Sequence, residues 1–183
     1  MRTFREFCRA ALRALNESGV EYVLVGGLAA VYYGRPRTTM DLDLVLKFQP
    51  GSVERLCAAL LKYGFDVSPR EMQDAVRERA HVSVFDKNSP YRLDLKWSAT
   101  VLDETSLARK KRVEIYGEEA WIESPENLIA GKLLFGSPQD LEDIQAVLLR
   151  QKGKLDMGYL ERICGEMGVS RTLARIKRKL KFV

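Results

Sequence analysis

The sequence predicts an α/β fold, a mixed sheet flanked by helices with a C-terminal helical part. Two segments alternate with period two, Asp41-Leu42-Asp43-Leu44-Val45-Leu46 and Tyr91-Arg92-Leu93-Asp94-Leu95-Lys96-Trp97, as half-buried strands do. Between and before them lie stretches whose apolar residues recur at helical spacing. From Ser124 onward the pattern is helical throughout.

The elements follow in order. Thr3-Phe4-Arg5-Glu6 has the form of a capping box and opens a helix through about Glu17. Glu21–Val25 reads as a buried strand running straight into Gly26-Gly27, and Leu28–Tyr33 as a short helix closed by Gly34. After the Asp41 strand, Ser52–Tyr63 forms a crossover helix, and Ser68-Pro69-Arg70-Glu71 opens a shorter one. His81–Asp86 and Tyr91–Trp97 make a hairpin around Lys87-Asn88-Ser89-Pro90. Val113–Tyr116 and Ala120–Ile122 are short strands. Ser124-Pro125 then caps a helix whose stripe is Leu128, Ile129, Leu133 and Leu134, and Ser137-Pro138-Gln139-Asp140 starts the next.

Chemistry concentrates on Asp41 and Asp43. Residues two apart on a strand project from one face, so both carboxylates point out while Leu42, Leu44 and Leu46 are buried. Adjacent anions raise each other's pKa unless a cation sits between them, and an oxygen-only ligand set suits magnesium. Asp94, on the polar face of its own strand between Arg92 and Lys96, is the candidate third carboxylate. The glycines at the strand-to-helix turn let the backbone approach a phosphate, with the N–H groups of the new helix facing it. An Asp-x-Asp pair alone equally suits a solvated strand face. Arg37 has a structural alternative, an ion pair with Asp41 or Asp43, and His81 reads as a structural strand residue.

Gly26-Gly27, a nine-residue gap, Arg37-Thr38-Thr39 and Asp41-x-Asp43 together resemble the signature of the polymerase-β-like nucleotidyltransferase superfamily. Ser124–Leu133 followed by Asp140-Leu141-Glu142-Asp143 is similar to later motifs of small prokaryotic nucleotidyltransferases, including toxins of type IV toxin–antitoxin and abortive-infection systems. The resemblance implies two magnesium ions bound by Asp41, Asp43 and Asp94, with Asp94 as ligand, as general base, or as both. It implies a nucleoside triphosphate held by Gly26, Gly27, Arg37, Thr38, Lys132 and Asp140. Lys132 is the triphosphate lysine on this reading, and an exposed helix lysine on the alternative one. The implied reaction moves a nucleoside monophosphate to a tRNA or protein hydroxyl, and a cognate antitoxin is among the implied partners. Antibiotic modification and a non-catalytic nucleotide-binding or antitoxin module are the alternatives; the intact carboxylate set argues against the second. The chain divides on this reading into a catalytic core, residues 1–123, and a helical part, residues 124–183, packed on it.

Composition agrees. With 183 residues and 46% hydrophobic content, the chain can bury a core as one domain. Cys8, Cys57 and Cys164 are odd in number and widely spaced, which suits a reducing cytosol. No apolar run approaches membrane length, and the charged N-terminus lacks a signal peptide's apolar stretch. The expectation is a cytoplasmic protein that does not enter membranes. The stretch Arg171–Val183 carries six basic residues and no acid, more than the whole net charge of +5. Leu173, Ile176 and Leu180 give it an apolar stripe, so it reads as a docked helix with a basic outer face. With Arg109-Lys110-Lys111-Arg112 it offers patches that can steer RNA phosphates, or that simply keep the surface soluble.

Overall fold

A computed structural model describes residues 1–182. Its elements are α1 (Phe4–Ser18), β1 (Tyr22–Val25), α2 (Gly26–Tyr33), β2 (Asp41–Leu46), α3 (Ser52–Lys62), β3 (Phe65–Asp66), α4 (Pro69–Glu78), β4 (His81–Asp86), β5 (Arg92–Trp97), α5 (Val101–Ala108), β6 (Lys111–Ile115), β7 (Glu118–Ile122), α6 (Pro125–Phe135), α7 (Pro138–Arg150), α8 (Met157–Glu166) and α9 (Ser170–Lys179). The strands form one seven-stranded mixed sheet in the order β3-β4-β5-β2-β1-β7-β6, which places the Asp-x-Asp strand at its centre. β2 pairs antiparallel with β1 and parallel with β5, while β7 runs parallel to β1. The expected β4–β5 hairpin is present, with Ser83 opposite Asp94.

Alternation sorts the side chains. Leu42, Leu44, Leu46, Leu93 and Leu95 are all but fully buried on one face, in the same apolar cluster as Phe7, Leu12 and Leu15 of α1 and Leu56 and Leu60 of α3. The opposite face carries Asp41 and Asp43 on β2 and Arg92, Asp94 and Lys96 on β5. That face is only partly covered. Leu107 of α5 packs on Val23 and Val45, with Val25 beside them, and the remaining polar stretch is left open.

Caps set the helix ends. Thr3 and Glu6 form the capping box expected for α1. Ser124 caps α6, and Ser137 with Asp140 caps α7. Residues of α6, α7 and α8, among them Leu128, Ile129, Ile144, Val147 and Leu160, share the main buried cluster with the sheet. In α9, Leu173 and Ile176 are buried and Leu180 is partly buried, so the amphipathic tail docks by the stripe expected of it.

Two elements depart from the sequence reading. α5 was not anticipated, although Thr100 and Asp103 form a complete capping box at its start. The two-residue strand β3 also escaped notice, being too short for any alternation to register. Among the described residues no helix is long and apolar enough to cross a membrane.

Candidate active site

The β-strand register assembles the acidic row. Asp43 lies directly beside Asp94 on the neighbouring parallel strand, and Asp41 lies beside Arg92. Adjacent strands are about 4.8 Å apart, so the carboxylates of Asp43 and Asp94 are near neighbours on one face. Asp94 is bound by the Ser83 hydroxyl at 2.5 Å and by Arg92 Nε at 3.0 and 3.1 Å. The other end of the Arg92 guanidinium reaches Asp41 Oδ2 at 3.2 Å, and the Thr39 hydroxyl donates to Asp41 Oδ1 at 2.9 Å. Arg92 therefore bridges the outer two carboxylates.

Asp43 has no such help. It accepts the Gly27 N–H at 3.2 Å, and among the described residues no cation pairs with it. Burial first, then the charges of Asp41 and Asp94, hold its carboxyl above the usual range despite that hydrogen bond.

The glycine turn is shaped around this group. Gly26 has φ +64°, in the left-handed region, and a Cβ there would lie 2.3 Å from Asp43 Oδ2. A Cβ on Gly27 would meet the Thr39 hydroxyl at 2.8 Å. No side chain fits either place.

A cleft of about 350 Å³ opens over the turn. Gly26, Gly27, Asp43, Asp94, Lys132 and Asp140 all line it, so six of the nine site residues expected from sequence meet in one space. Asp41 stands one repeat further along β2, joined to the cleft through Arg92. Arg37 and Thr38 do not join it; with Tyr91 and Tyr116 they line a separate hollow of about 140 Å³. Arg37 pairs with neither Asp41 nor Asp43. Its guanidinium grips Asp143 of α7 through two hydrogen bonds of 3.0 and 3.1 Å.

Lys132 is buried rather than exposed, its Nζ 2.8 Å from Asp140 Oδ1 and 2.9 Å from Asp143 Oδ2. Burial pulls both aspartates upward, but Lys132 with Ser137 on one side and Arg37 with Lys132 on the other holds them below the ordinary carboxylate range. Asp140 thus serves as helix cap and lysine partner at once.

Several lining residues escaped the sequence reading. α5 contributes Asp103, paired with Lys96 at 2.6 Å, and Ser106. His81 is exposed at the cleft rather than structural, because the β4–β5 pairing turns His81 and Ser83 to the Asp94 side. Glu123, just after β7, is buried on the cleft wall, where it accepts the Gly26 N–H at 3.2 Å and the Ser106 hydroxyl at 3.3 Å. Its only sequence signal is an acid standing between a strand and the Ser124 cap.

Whether these groups suit a metal turns on their donors. Among the described residues no three acidic, histidine or cysteine side chains already converge as a cage, and Arg92 takes the cationic place between Asp41 and Asp94. The donor set is nevertheless all oxygen. Asp43, half-buried without a cation beside Asp94, is the group a hard divalent ion would relieve. The donors present suit a hard divalent ion, with Asp43 and Asp94 the carboxylates nearest to one another.

The sequence matches, over residues 5–182, the family described as "Nucleotidyltransferase of unknown function (DUF6036)". No curated protein matches it. Among solved structures, ANT(2")-Ia in complex with adenylyl-2"-tobramycin has a TM-score of 0.61 at 15% identity, covering 91% of this chain and 97% of that one. The solution structure of the antibiotic-resistance factor ANT(2'')-Ia gives 0.59 at 16% identity, covering 96% of each. An antigenic nucleotidyltransferase-like protein from Paracoccidioides brasiliensis gives 0.56 at 16% identity, covering 97% of this chain and 92% of that chain. At such identities the likeness is one of fold.

Two outcomes are expected. Gly26→Ala forces a methyl onto Asp43 and strains the backbone, so it lowers stability by more than about 1 kcal/mol in urea unfolding. Burial pushes the Glu123 carboxyl from 4.5 up to about 8, so the folded chain keeps a proton that the unfolded chain releases. Stability therefore falls as pH rises through that interval, and Glu123→Gln flattens this part of the curve in thermal unfolding measured from pH 4 to 9.

Proposed function

The chain belongs to the DUF6036 nucleotidyltransferase family, and from that premise we propose that its cleft binds a nucleoside triphosphate with magnesium and transfers the nucleoside monophosphate to an acceptor hydroxyl. The observation that carries this reading is Asp43, a half-buried carboxylate without a cation, beside Asp94 and against a glycine turn that no side chain can enter.

Magnesium, when bound, supplies positive charge to the triphosphate oxygens and to the leaving pyrophosphate. Asp43 and Asp94 hold it, with Asp41 beside them. The Gly26-Gly27 turn lets a phosphate approach the backbone closely, and the start of α2 beyond Gly27 turns N–H groups toward it, those of Gly26 and Gly27 being held by Glu123 and Asp43. Lys132, kept in place by Asp140 and Asp143, stands on the opposite wall as the candidate phosphate cation. The acceptor oxygen bonds to the α-phosphorus as the bond to the β-phosphate breaks, and its proton passes to Asp94 where that carboxylate acts as base. Orientation and charge neutralisation account for the rate. Arg37, engaged by Asp143, acts by steadying the Lys132 network rather than by touching phosphate.

The acceptor we favour is tRNA or a protein side chain in the cytosol, with the activity that of a toxin held by a cognate antitoxin. Arg171, Arg175, Arg178 and Lys179 support RNA, since all are exposed on α9. The Arg109–Arg112 cluster adds less, because Arg109 pairs with Asp156, Lys110 with Glu21 and Arg112 with Glu119. A second reading, a small cationic acceptor, draws on the acids on the sheet side of the cleft, Asp43 and Asp94. It also draws on ANT(2")-Ia, whose structure was solved with adenylyl-2"-tobramycin.

The test is transfer of label from each radioactive triphosphate, with magnesium, to a whole-cell extract. Asp43→Asn and Asp41→Asn each lower transfer by at least about a hundredfold while circular dichroism and melting stay those of a folded protein. Transfer retained in a folded Asp43→Asn protein would refute the assignment. Label in RNA, in protein or in a small molecule decides the acceptor.

A further inference from the structure

Glu123 takes no part in the mechanism above, yet its place is fixed from every side. Its backbone N–H donates to the Leu24 carbonyl at 3.0 Å, and its carbonyl accepts the Tyr33 hydroxyl at 2.9 Å. The side chain, 4% exposed, then has one course, toward the turn. Oε1 accepts the Gly26 N–H, while Oε2 accepts the Ser106 hydroxyl. Ser106 in turn accepts from the Asn127 amide at 3.3 Å, and Asn127 accepts the Tyr159 hydroxyl at 2.9 Å. A buried polar chain thus links the glycine turn to α5, α6 and α8.

Burying a carboxyl without a cationic partner is unfavourable, and an apolar side chain of similar size would fill the same space at lower cost. What an apolar side chain cannot do is accept a hydrogen bond. The two N–H groups of the turn are divided between two acids, Gly26 to Glu123 and Gly27 to Asp43. Turning the Gly26 peptide would break the first bond and misdirect the second. A left-handed glycine has many other conformations open to it, and the Glu123 bond favours this one over them.

We propose that Glu123 is a positioning residue, whose Oε1 holds the Gly26 N–H so that the glycine turn is already set for a triphosphate before one arrives. The inference rests on the triphosphate reading of the cleft and adds to it a residue that prepares the turn. Glutamine keeps the acceptor and leucine removes it, so the two variants separate positioning from filling.

The experiment titrates magnesium with inorganic tripolyphosphate into wild-type, E123Q and E123L proteins by calorimetry. Urea unfolding and amide spectra of ¹⁵N-glycine-labelled samples accompany it. E123Q binds within about threefold of wild type, while E123L loses about tenfold, the equivalent of one hydrogen bond. E123L still unfolds in one cooperative transition, and among the glycine amides it is that of Gly26 that moves furthest from the wild-type position. In the wild-type protein that amide is protected from hydrogen exchange before any phosphate is added. Equal binding by wild type and E123L, an equal loss in E123Q, or rapid exchange at the wild-type Gly26 amide each overturns the role given to Glu123. If the wild-type protein binds no magnesium tripolyphosphate, the reading of the cleft falls and the inference falls with it.

Discussion

Asp43 and Asp94 stand side by side on adjacent parallel strands, and like charges at that spacing need either a cation or a proton. The rest of the site is arranged around that repulsion. Arg92 answers it for Asp94 and Asp41, with Ser83 and Thr39 sharing the load. Asp43 is left with a single backbone N–H, deep enough that burial is the main force raising its pKa. A site built this way is poised to take up positive charge, and the oxygen donors select a hard ion over a soft one.

The helical C-terminal part reaches the same cleft through a balanced network. Lys132 and Arg37 are its two cations, and Asp140 and Asp143 its two anions. Lys132 and Asp143 are its buried members, and removing either leaves the other a buried charge short of a partner, an effect of up to about 3–5 kcal/mol. α6 and α7 are tied in this way to the loop that precedes β2. Lys132, on the cleft wall, is held by Asp140 and Asp143 of the next helix, and Asp143 is held in turn by Arg37, so the network belongs to the cleft as well as to the fold.

Much of this was legible in the sequence because the signals are local. Period-two alternation placed Asp41 and Asp43 on one face of β2 and Asp94 on the matching face of β5. Capping residues marked the starts of α1, α6 and α7 within a residue or two. What escaped depends on pairing between distant segments. Glu123 meets Gly26 only because β7 lies parallel to β1, and Arg37 turns to Asp143 rather than to the nearby aspartates because α7 packs beside its loop. His81 faces the cleft through the β4–β5 register. α5 has too few apolar residues for a stripe, so its capping box was its one visible sign.

The divalent cation assigned to Asp43 and Asp94 would take the place that Arg92 holds beside Asp94, Asp43 having no cation of its own. Diffraction from crystals soaked in manganese, recorded near the manganese absorption edge, tests it directly. The expected result is an anomalous peak about 2 Å from carboxylate oxygens of Asp43 and Asp94, with the Arg92 side chain turned away from Asp94. A cleft without a peak, with Arg92 still bridging Asp41 and Asp94, would contradict it.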